Sequence, residues 1–227
     1  MRLIKEDFDG LKKYIENFNI SSLVKDQDYL NFMSTCHKKY YSFFIASVEF
    51  EDYYIDEQYK FLKETNSDLA TSLFHIMTGS YKSARLLLRS SIECFIKSFT
   101  MDWSPNIENE KSVYEIFDKA KSLQYFSLDP QKLQFKIIHR IYKELCKDVH
   151  ASDKLNMAQI DALDLLPSYS KKEAKSITKI YLDLIPAYIF LICDKFNAEY
   201  HKMHHTNKEI ILTGIKKELR PYILKIK

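Results

Sequence analysis

The chain has 227 residues, of which only 3 are glycine and 5 are proline, and its formal net charge is +3. Folds that turn the chain often, such as β-sandwiches, propellers and βαβ folds, depend on these two residues and are disfavoured by their scarcity. Three isolated glycines cannot form a glycine-rich phosphate-binding loop, which argues against enzyme classes that hold nucleotides on such loops.

Apolar residues recur with helical spacing along most of the chain. The pattern predicts a first amphipathic helix over 8–18 and a long, aromatic-rich helix over 28–63 that bends or breaks near 51–52. A third helix is predicted over about 66–99, opened by a polar capping residue. Gly79 falls inside this third helix, where a close helix crossing would explain a residue that weakens helices.

Capping signals mark the helices of the second half of the chain. They predict helices that begin at Ser112, Asp129, Ser170 and Thr206. Pro186 should kink the helix that begins at Ser170. No segment alternates with period two for long enough to predict a strand. The sequence therefore predicts one all-α domain over residues 1–227, an up-and-down bundle of long helices.

A polar stripe on the third predicted helix is the first candidate site. Arg85, Arg89 and Glu93 share one face at about 100° per residue. Arg89 and Glu93 can pair, whereas Arg85 and Arg89 would repel unless an anion lies between them. The stripe is either an ordinary solvent-facing surface or a polar face in which two guanidinium groups hold a phosphate and Glu93 orients one of them.

Histidines form two further candidates. His150 follows the helix that begins at Asp129, where it is either a general acid/base or a residue that interacts favourably with the helix dipole. In the segment HKMHH, His201 and His205 are spaced i,i+4 with His204 between them, but no third ligand is evident. A basic surface or a nucleic-acid contact is therefore favoured over a metal site, and no metal or other cofactor is predicted.

Charge and cysteine usage bear on partners and location. Residues 195–227 contain eight Lys or Arg against three Glu, which suits an anionic partner or an ordinary solvated face. The four cysteines are far apart in apolar helical stretches and are predicted to be reduced core residues. The N-terminal MRLIKEDFDG has no apolar run typical of a signal peptide, and the longest uncharged apolar run, over 184–193, is short for a membrane span. The expected location is the cytoplasm.

The segment SARLLLRSSIECFIKSF, followed some 50 residues later by YKELCKDVHAS, resembles the HEPN-like superfamily over roughly 66–155. The resemblance implies a helical-bundle core over that range, on which C-terminal helices over 170–227 pack. Members of this superfamily occur in prokaryotic toxin–antitoxin, abortive-infection and CRISPR-associated systems. Many are metal-independent endoribonucleases that act as dimers through an R-x4-6-H motif at their interface.

In that motif, the resemblance implies, the histidine is the general acid/base and the arginine stabilises the phosphate. This chain has the histidine as His150, but the residues five to seven positions before it are Leu145, Glu144 and Lys143. Arg85 or Arg89 could supply the missing guanidinium from another helix. On this hypothesis His150 is the general acid/base and the two arginines hold the phosphate. Glu93 and Lys147 support these three residues.

The resemblance therefore implies two possible functions. The first is a HEPN-like endoribonuclease of an anti-phage or toxin–antitoxin system that acts on RNA without metal. The second is a catalytically inactive HEPN-like binding module, such as an antitoxin, a sensor or an assembly subunit. An unrelated helical protein, including one that binds metal through the His201 segment, is the remaining alternative. RNA, a second copy of the chain and a partner protein of such a system are the expected partners.

Overall fold

The computed structural model describes residues 27–149 and 169–226. Within these ranges the fold is an all-α helical bundle, 85% helical when 3₁₀ turns are included, with nine α-helices and no strand. The helices are α1 (Gln27–Glu49), α2 (Asp56–Met77), α3 (Tyr81–Thr100), α4 (Val113–Ser122), α5 (Gln131–Val149), α6 (Lys171–Lys195), α7 (Asn197–Lys202), α8 (His205–Gly214) and α9 (Arg220–Leu224). The helix predicted over 8–18 lies outside the described residues.

The predicted break near 51–52 is confirmed, because a 3₁₀ turn over Glu51–Tyr53 separates α1 from α2. The predicted helix start near 66 is wrong, since α2 runs through this point to Met77. Leu62, Leu69 and Leu73 are all buried, so one apolar face continues across the polar residues that resemble a cap.

Gly79 lies in the turn between α2 and α3, and the prediction that it sits inside a helix is wrong. Its φ is 80°, in the left-handed region where glycine carries no Cβ penalty. The amide of Ser80 donates a hydrogen bond of 2.8 Å to the carbonyl of His75, which closes the end of α2. The polar residues before and after Gly79 therefore belong to two helices rather than to one continuous stripe.

Two of the predicted caps are confirmed. The hydroxyl of Ser112 accepts a hydrogen bond from the amide of Glu115, and that of Ser170 accepts one from the amide of Glu173, each at 3.4 Å. The predicted cap at Thr206 is wrong, because His204 is the capping residue of α8. Helix α8 ends at Gly214, and a separate short helix, α9, follows. Pro221 occupies the first turn of α9, where a missing backbone N–H costs no helical hydrogen bond.

Helix α6 is the centre of the core and packs against α1, α3 and α5. Every residue over 184–194 is buried, including Pro186 inside the helix. The ring of Tyr188 stacks on Phe95 of α3 with 3.9 Å between centroids. By length and hydropathy α6 could cross a membrane, with a mean hydropathy of 1.5 over its most apolar window, but 78% of that window is buried inside the structure. Buried core helices often have the same length and hydropathy, so these properties of α6 are weak evidence for a membrane span.

Lys195, at the end of α6, is buried and surrounded by aromatic rings. Its ammonium lies 4.9–5.2 Å from the centroids of four rings, those of Tyr54, Phe99, Trp103 and Phe196. It forms an ion pair of 2.5 Å with Asp102, whose side chain is 42% exposed against 7% for Lys195. Burial lowers the pKa of Lys195, and Asp102 opposes this effect. The contact joins the end of α6 to the segment that follows α3.

All four cysteines are free. Cys36 and Cys193 are buried, and Cys94 and Cys146 are partly buried. Burial raises the pKa of Cys36 to about 11, and burial together with Asp68 and other nearby carboxylates raises that of Cys94 to about 12. These two side chains are therefore neutral thiols at physiological pH and not activated nucleophiles.

Candidate functional site

Helix α5 runs antiparallel to α6. Arg140 in the middle of α5 lies 3.8 Å from Asp183 in the middle of α6. Gln131 at the start of α5 donates a hydrogen bond of 2.8 Å to Asp194 near the end of α6. The end of α5 is therefore level with the beginning of α6.

Helix α3 runs parallel to α6. Arg85 near the start of α3 pairs with Glu173 near the start of α6, and Lys195 at the end of α6 donates to the carbonyl of Phe99 at the end of α3. One end of the bundle thus combines the first turns of α3 and α6 with the last turn of α5. Arg85 and Lys147, two of the sequence-predicted site residues, belong to this end.

Arg85 is held by a carboxylate from a neighbouring helix. Its Nη2 atom lies 2.9 Å from Oε2 of Glu173. The side chain of Arg85 is 15% exposed and that of Glu173 is 42% exposed. The pair joins α3 to α6, and the guanidinium therefore has a structural role in the bundle.

Arg89 is held between two helices by Glu93 and Tyr142. Its Nη2 atom lies 3.1 Å from Oε1 of Glu93 and donates a hydrogen bond of 3.0 Å to the hydroxyl of Tyr142 on α5. That hydroxyl donates in turn to the same oxygen of Glu93 at 3.1 Å. The guanidinium carbon also lies 5.4 Å from the centroid of the Tyr142 ring. We call the five residues Arg85, Glu173, Arg89, Glu93 and Tyr142 the arginine network.

The protonation states in this network follow from burial and hydrogen bonding. Burial acts to lower the pKa of Arg89, but hydrogen bonds to Tyr142 and Cys146 and the charge of Glu93 outweigh it, so the pKa is raised. Burial and a hydrogen bond with Cys146 raise the pKa of Tyr142. The guanidinium therefore stays charged and the phenol stays protonated at neutral pH.

The two arginines do not form an open, unoccupied phosphate site in the described part of the chain. Each guanidinium already contacts a carboxylate within 3.1 Å or less. An approaching phosphate would have to share or displace Glu173 or Glu93. Nε of Arg89 is buried and has no hydrogen-bond partner among the described residues, so one donor of this group is not used by the network.

A second charged feature lies on the exposed side of α5. A shallow groove of about 710 Å³ is lined by Lys136, His139, Arg140, Lys143, Glu144 and Lys147. We call these six residues the basic groove. It contains four cations and one carboxylate, and spacings of three and four residues place the cations along one side of the helix.

The cations of the basic groove are accessible. Lys136, Lys143 and Lys147 are exposed, and none of them forms an ion pair with a side chain that the structure describes. Arg140 pairs with Asp183, which Lys216 also contacts at 2.8 Å. The groove therefore presents a net positive surface, and at its three lysines a polyanion would displace no ion-pair partner that the structure describes.

His139 lies in the groove and stacks on Phe117 of α4, with 4.6 Å between centroids and an angle of 21° between ring planes. No described residue forms a hydrogen bond with its ring nitrogens. Burial lowers the pKa of His139, and the charges of Lys143 and Lys121 lower it further, while Asp118 opposes them. The imidazole is therefore neutral at pH 7.

The remaining sequence-predicted residues are placed as follows. His150 lies outside the described residues, so its predicted role as general acid/base stays a prediction. His201 contacts the carbonyl of Ile223 at 3.1 Å, and Nδ1 of His204 accepts a hydrogen bond from the amide of Thr206. Within 27–149 and 169–226, no three His, Cys, Asp or Glu side chains are grouped so that they could hold a metal ion.

Sequence reasoning missed the basic groove as a unit, although a signal for it was present. Lys136, Arg140, Lys143 and Lys147 follow helical spacing within one capped helix, and a helical projection of 130–149 would have shown them on one face. No comparable signal existed for Glu173 or Tyr142, which lie 88 and 53 residues after the arginines that they contact.

The fold and the site define a helical bundle that has a basic groove on one exposed helix and a partly buried arginine network behind it. No protein-family model, curated protein or solved structure matches this chain.

Proposed function

We propose that the protein is an RNA-binding module of HEPN-like type and that it contacts RNA through the basic groove. The observation that carries this proposal is the set of four cations on one side of α5, three of which have no ion pair within the described residues. The arginine network supports binding over catalysis, because its guanidinium groups are already held by carboxylates.

The physical basis is electrostatic. Cations that neutralise phosphates release condensed counterions, so the affinity falls with salt in proportion to the number of contacts. The span from Lys136 to Lys147 is eleven residues, or about 16 Å along a helix, which is long enough to follow several phosphates of one strand. If four phosphates of a single strand are contacted, the slope of log affinity against log salt is about −2.8.

The test is the salt dependence of binding to a fluorescent oligouridylate, measured by anisotropy. The double variant Lys136→Gln/Lys143→Gln should weaken binding and reduce the magnitude of the salt slope by about 1.4. The matched control is Lys60→Gln/Lys63→Gln on α2, which removes the same charge from side chains that are 68% and 64% exposed. Equal effects of the two double variants would contradict a localised groove, and no binding by the wild type would contradict the function.

Endoribonuclease activity is the second candidate, and one observation favours it. The antiparallel arrangement places Arg85 and Lys147 at the end of the bundle where α5 ends at Val149, and His150 is the next residue of the chain. On this proposal His150 transfers protons, Arg85 and Arg89 stabilise the phosphate, and Glu93 orients Arg89.

The activity is tested by incubating the protein with RNA in the presence of a metal chelator. Cleavage by the wild type that is lost in His150→Ala and in Arg89→Lys would support the nuclease. Arg89→Lys keeps a charge but loses the guanidinium fork, and circular dichroism shows whether it still folds. Cleavage that survives both changes would mean that the named residues are wrong, and intact RNA with the wild type would leave the binding module as the function.

The biological setting that we propose is a prokaryotic anti-phage or toxin–antitoxin system, in which the protein acts as a homodimer or with a partner protein. The resemblance of the segments around Arg89 and His150 to HEPN-like proteins supports this setting. Light scattering at micromolar concentration measures the oligomeric state, and a monomer at all concentrations would contradict the homodimer. Growth of cells that express the protein, with and without phage, tests the role in defence.

A further inference from the structure

We propose that His139 is a proton-dependent phosphate contact in the basic groove, so that the groove holds a phosphodiester strand more tightly as the pH falls. This inference rests on the proposed RNA-binding function and adds a regulatory property to it. It assigns to His139 a role that differs from that of the four permanently charged side chains around it.

The position of His139 supports the inference. It lies one turn from Lys136 and from Lys143 and next to Arg140 on the same helix, and all three line the groove with it. The stack on Phe117 fixes one face of the imidazole. Its ring nitrogens form no hydrogen bond with any residue over 27–149 or 169–226. A fixed imidazole beside an anion-binding surface, with its donor unused, is available to a phosphate oxygen.

The charges around His139 explain why protonation of its imidazole should depend on a bound ligand. On its own helix it faces the cations of the groove and one carboxylate, Glu144. From α4 it faces Lys121, which disfavours a charged imidazole, and Asp118, which favours it. From α6, Asp183 reaches the groove through its ion pair with Arg140, and it is also paired with Lys216. Burial lowers the pKa of His139, and the surrounding cations lower it further, so His139 is neutral in the free protein at pH 7.

A bound phosphate reverses this balance. Its negative charge lies among the same cations and favours the protonated imidazole, so the complex takes up a proton that the free protein does not hold. Lysine and arginine do not titrate between pH 5 and 8, and neither does an oligouridylate. A rise in affinity over this range that is lost when His139 is replaced is therefore attributable to His139. The rise cannot exceed tenfold per pH unit for one proton.

The experiment measures the affinity for a fluorescent oligouridylate at constant ionic strength between pH 7.5 and pH 5.5. The wild type should bind more tightly at the lower pH by about threefold or more, within the one-proton limit. His139→Gln, which keeps a hydrogen-bond donor but cannot be charged, should bind with an affinity that hardly changes with pH. The matched control is His37→Gln on the exposed side of α1, which should keep the full pH dependence of the wild type.

The imidazole signals of His139 in NMR spectra give a second readout. Its pKa should rise when the oligouridylate is added, whereas sulfate at the same anion concentration should raise it much less if a strand of linked phosphates is the ligand. An equal rise with sulfate would overturn the assignment of a strand in favour of a general anion site.

The outcomes separate the two proposals. Binding that does not depend on pH, or a pH dependence that persists in His139→Gln, would overturn the role of His139 while the RNA-binding function stands. No binding to the oligouridylate at any pH would overturn the function itself. Thermal melting of each variant at both pH values shows that changes in affinity do not reflect unfolding.

Discussion

The buried ion pair of Lys195 and Asp102 leads to an asymmetric prediction about stability. Asp102→Asn should destabilise the protein more than Lys195→Met, although Lys195 is much the more buried partner. Lys195→Met leaves a carboxylate that is 42% exposed and can be hydrated, and that also accepts a hydrogen bond from Gln58. Asp102→Asn leaves an ammonium group that is only 7% exposed and has lost its counter-charge.

The magnitudes follow from these exposures. Removing one partner of a fully buried pair costs about 3–5 kcal/mol. Because Asp102 is partly exposed, the cost of Asp102→Asn is discounted to about 1.5–2 kcal/mol. This cost lowers the melting temperature by about 3–8 °C in a protein of this size. Lys195→Met should change the free energy of unfolding by less than about 1 kcal/mol, because contacts of sulfur with the four rings compensate for lost cation–π contacts.

Thermal and urea unfolding of the single and double variants measures these differences. The double variant should be more stable than Asp102→Asn alone, since it no longer contains an uncompensated buried charge. Lys202→Met, at a side chain of the next helix, α7, that is 72% exposed, is the control for loss of a positive charge. A larger loss of stability in Lys195→Met than in Asp102→Asn, or a double variant less stable than Asp102→Asn, would refute the reasoning.

The same pair predicts a pH dependence. Burial lowers the pKa of Lys195 in the folded protein, so the unfolded chain holds more protons between that value and the usual pKa of lysine. Stability contributed by this group therefore rises with pH in that interval. Asp102→Asn removes the charge that opposes the lowering, and the loss of stability relative to the wild type should be smaller at pH 9.5 than at pH 7.

Substitutions at three further positions have expected effects that denaturation measures directly. Gly214→Ala should cost about 1–3 kcal/mol, because a Cβ there would lie 2.6 Å from the Cβ of Ser42. Gly79→Ala should cost about 1 kcal/mol because φ is 80°, and Gly79→Asn should cost less. Tyr142→Phe removes the hydroxyl that links Arg89 to Glu93 and should cost about 1 kcal/mol, with the direct ion pair retained.

Local signals accounted for most of the fold. The caps at Ser112 and Ser170 were predictable because a hydroxyl three residues before a glutamate satisfies a free amide at a helix start. The predicted helix start near 66 was wrong because polar residues that resemble a helix cap also fit the solvent-facing side of a continuous helix. Leu62, Leu69 and Leu73 recur with helical spacing and are all buried, which favours the continuous helix over a helix start at this point. The turn at Gly79 was the actual helix boundary.

The candidate site was only partly predictable, because its main contacts join distant parts of the chain. The pairing of Arg89 with Glu93 is local and follows from i,i+4 spacing. The pairing of Arg85 with Glu173 joins residues 88 positions apart, and only the packing of α3 beside α6 brings them together. Sequence spacing therefore identified the charged residues of α3 and the partner of Arg89, but it could not show that a carboxylate of α6 holds Arg85.

The arginine network and the basic groove differ in whether their cations are already paired with carboxylates. A guanidinium that is partly buried and paired contributes to packing, and a phosphate gains little from it unless a carboxylate moves away. A lysine that is exposed and unpaired loses only solvent and counterions when a phosphate approaches. For this reason the lysines of α5, rather than the arginines of α3, should determine affinity for RNA. If the protein also cleaves RNA, substitutions in the groove should reduce binding, and substitutions in the arginine network should reduce the cleavage of bound RNA.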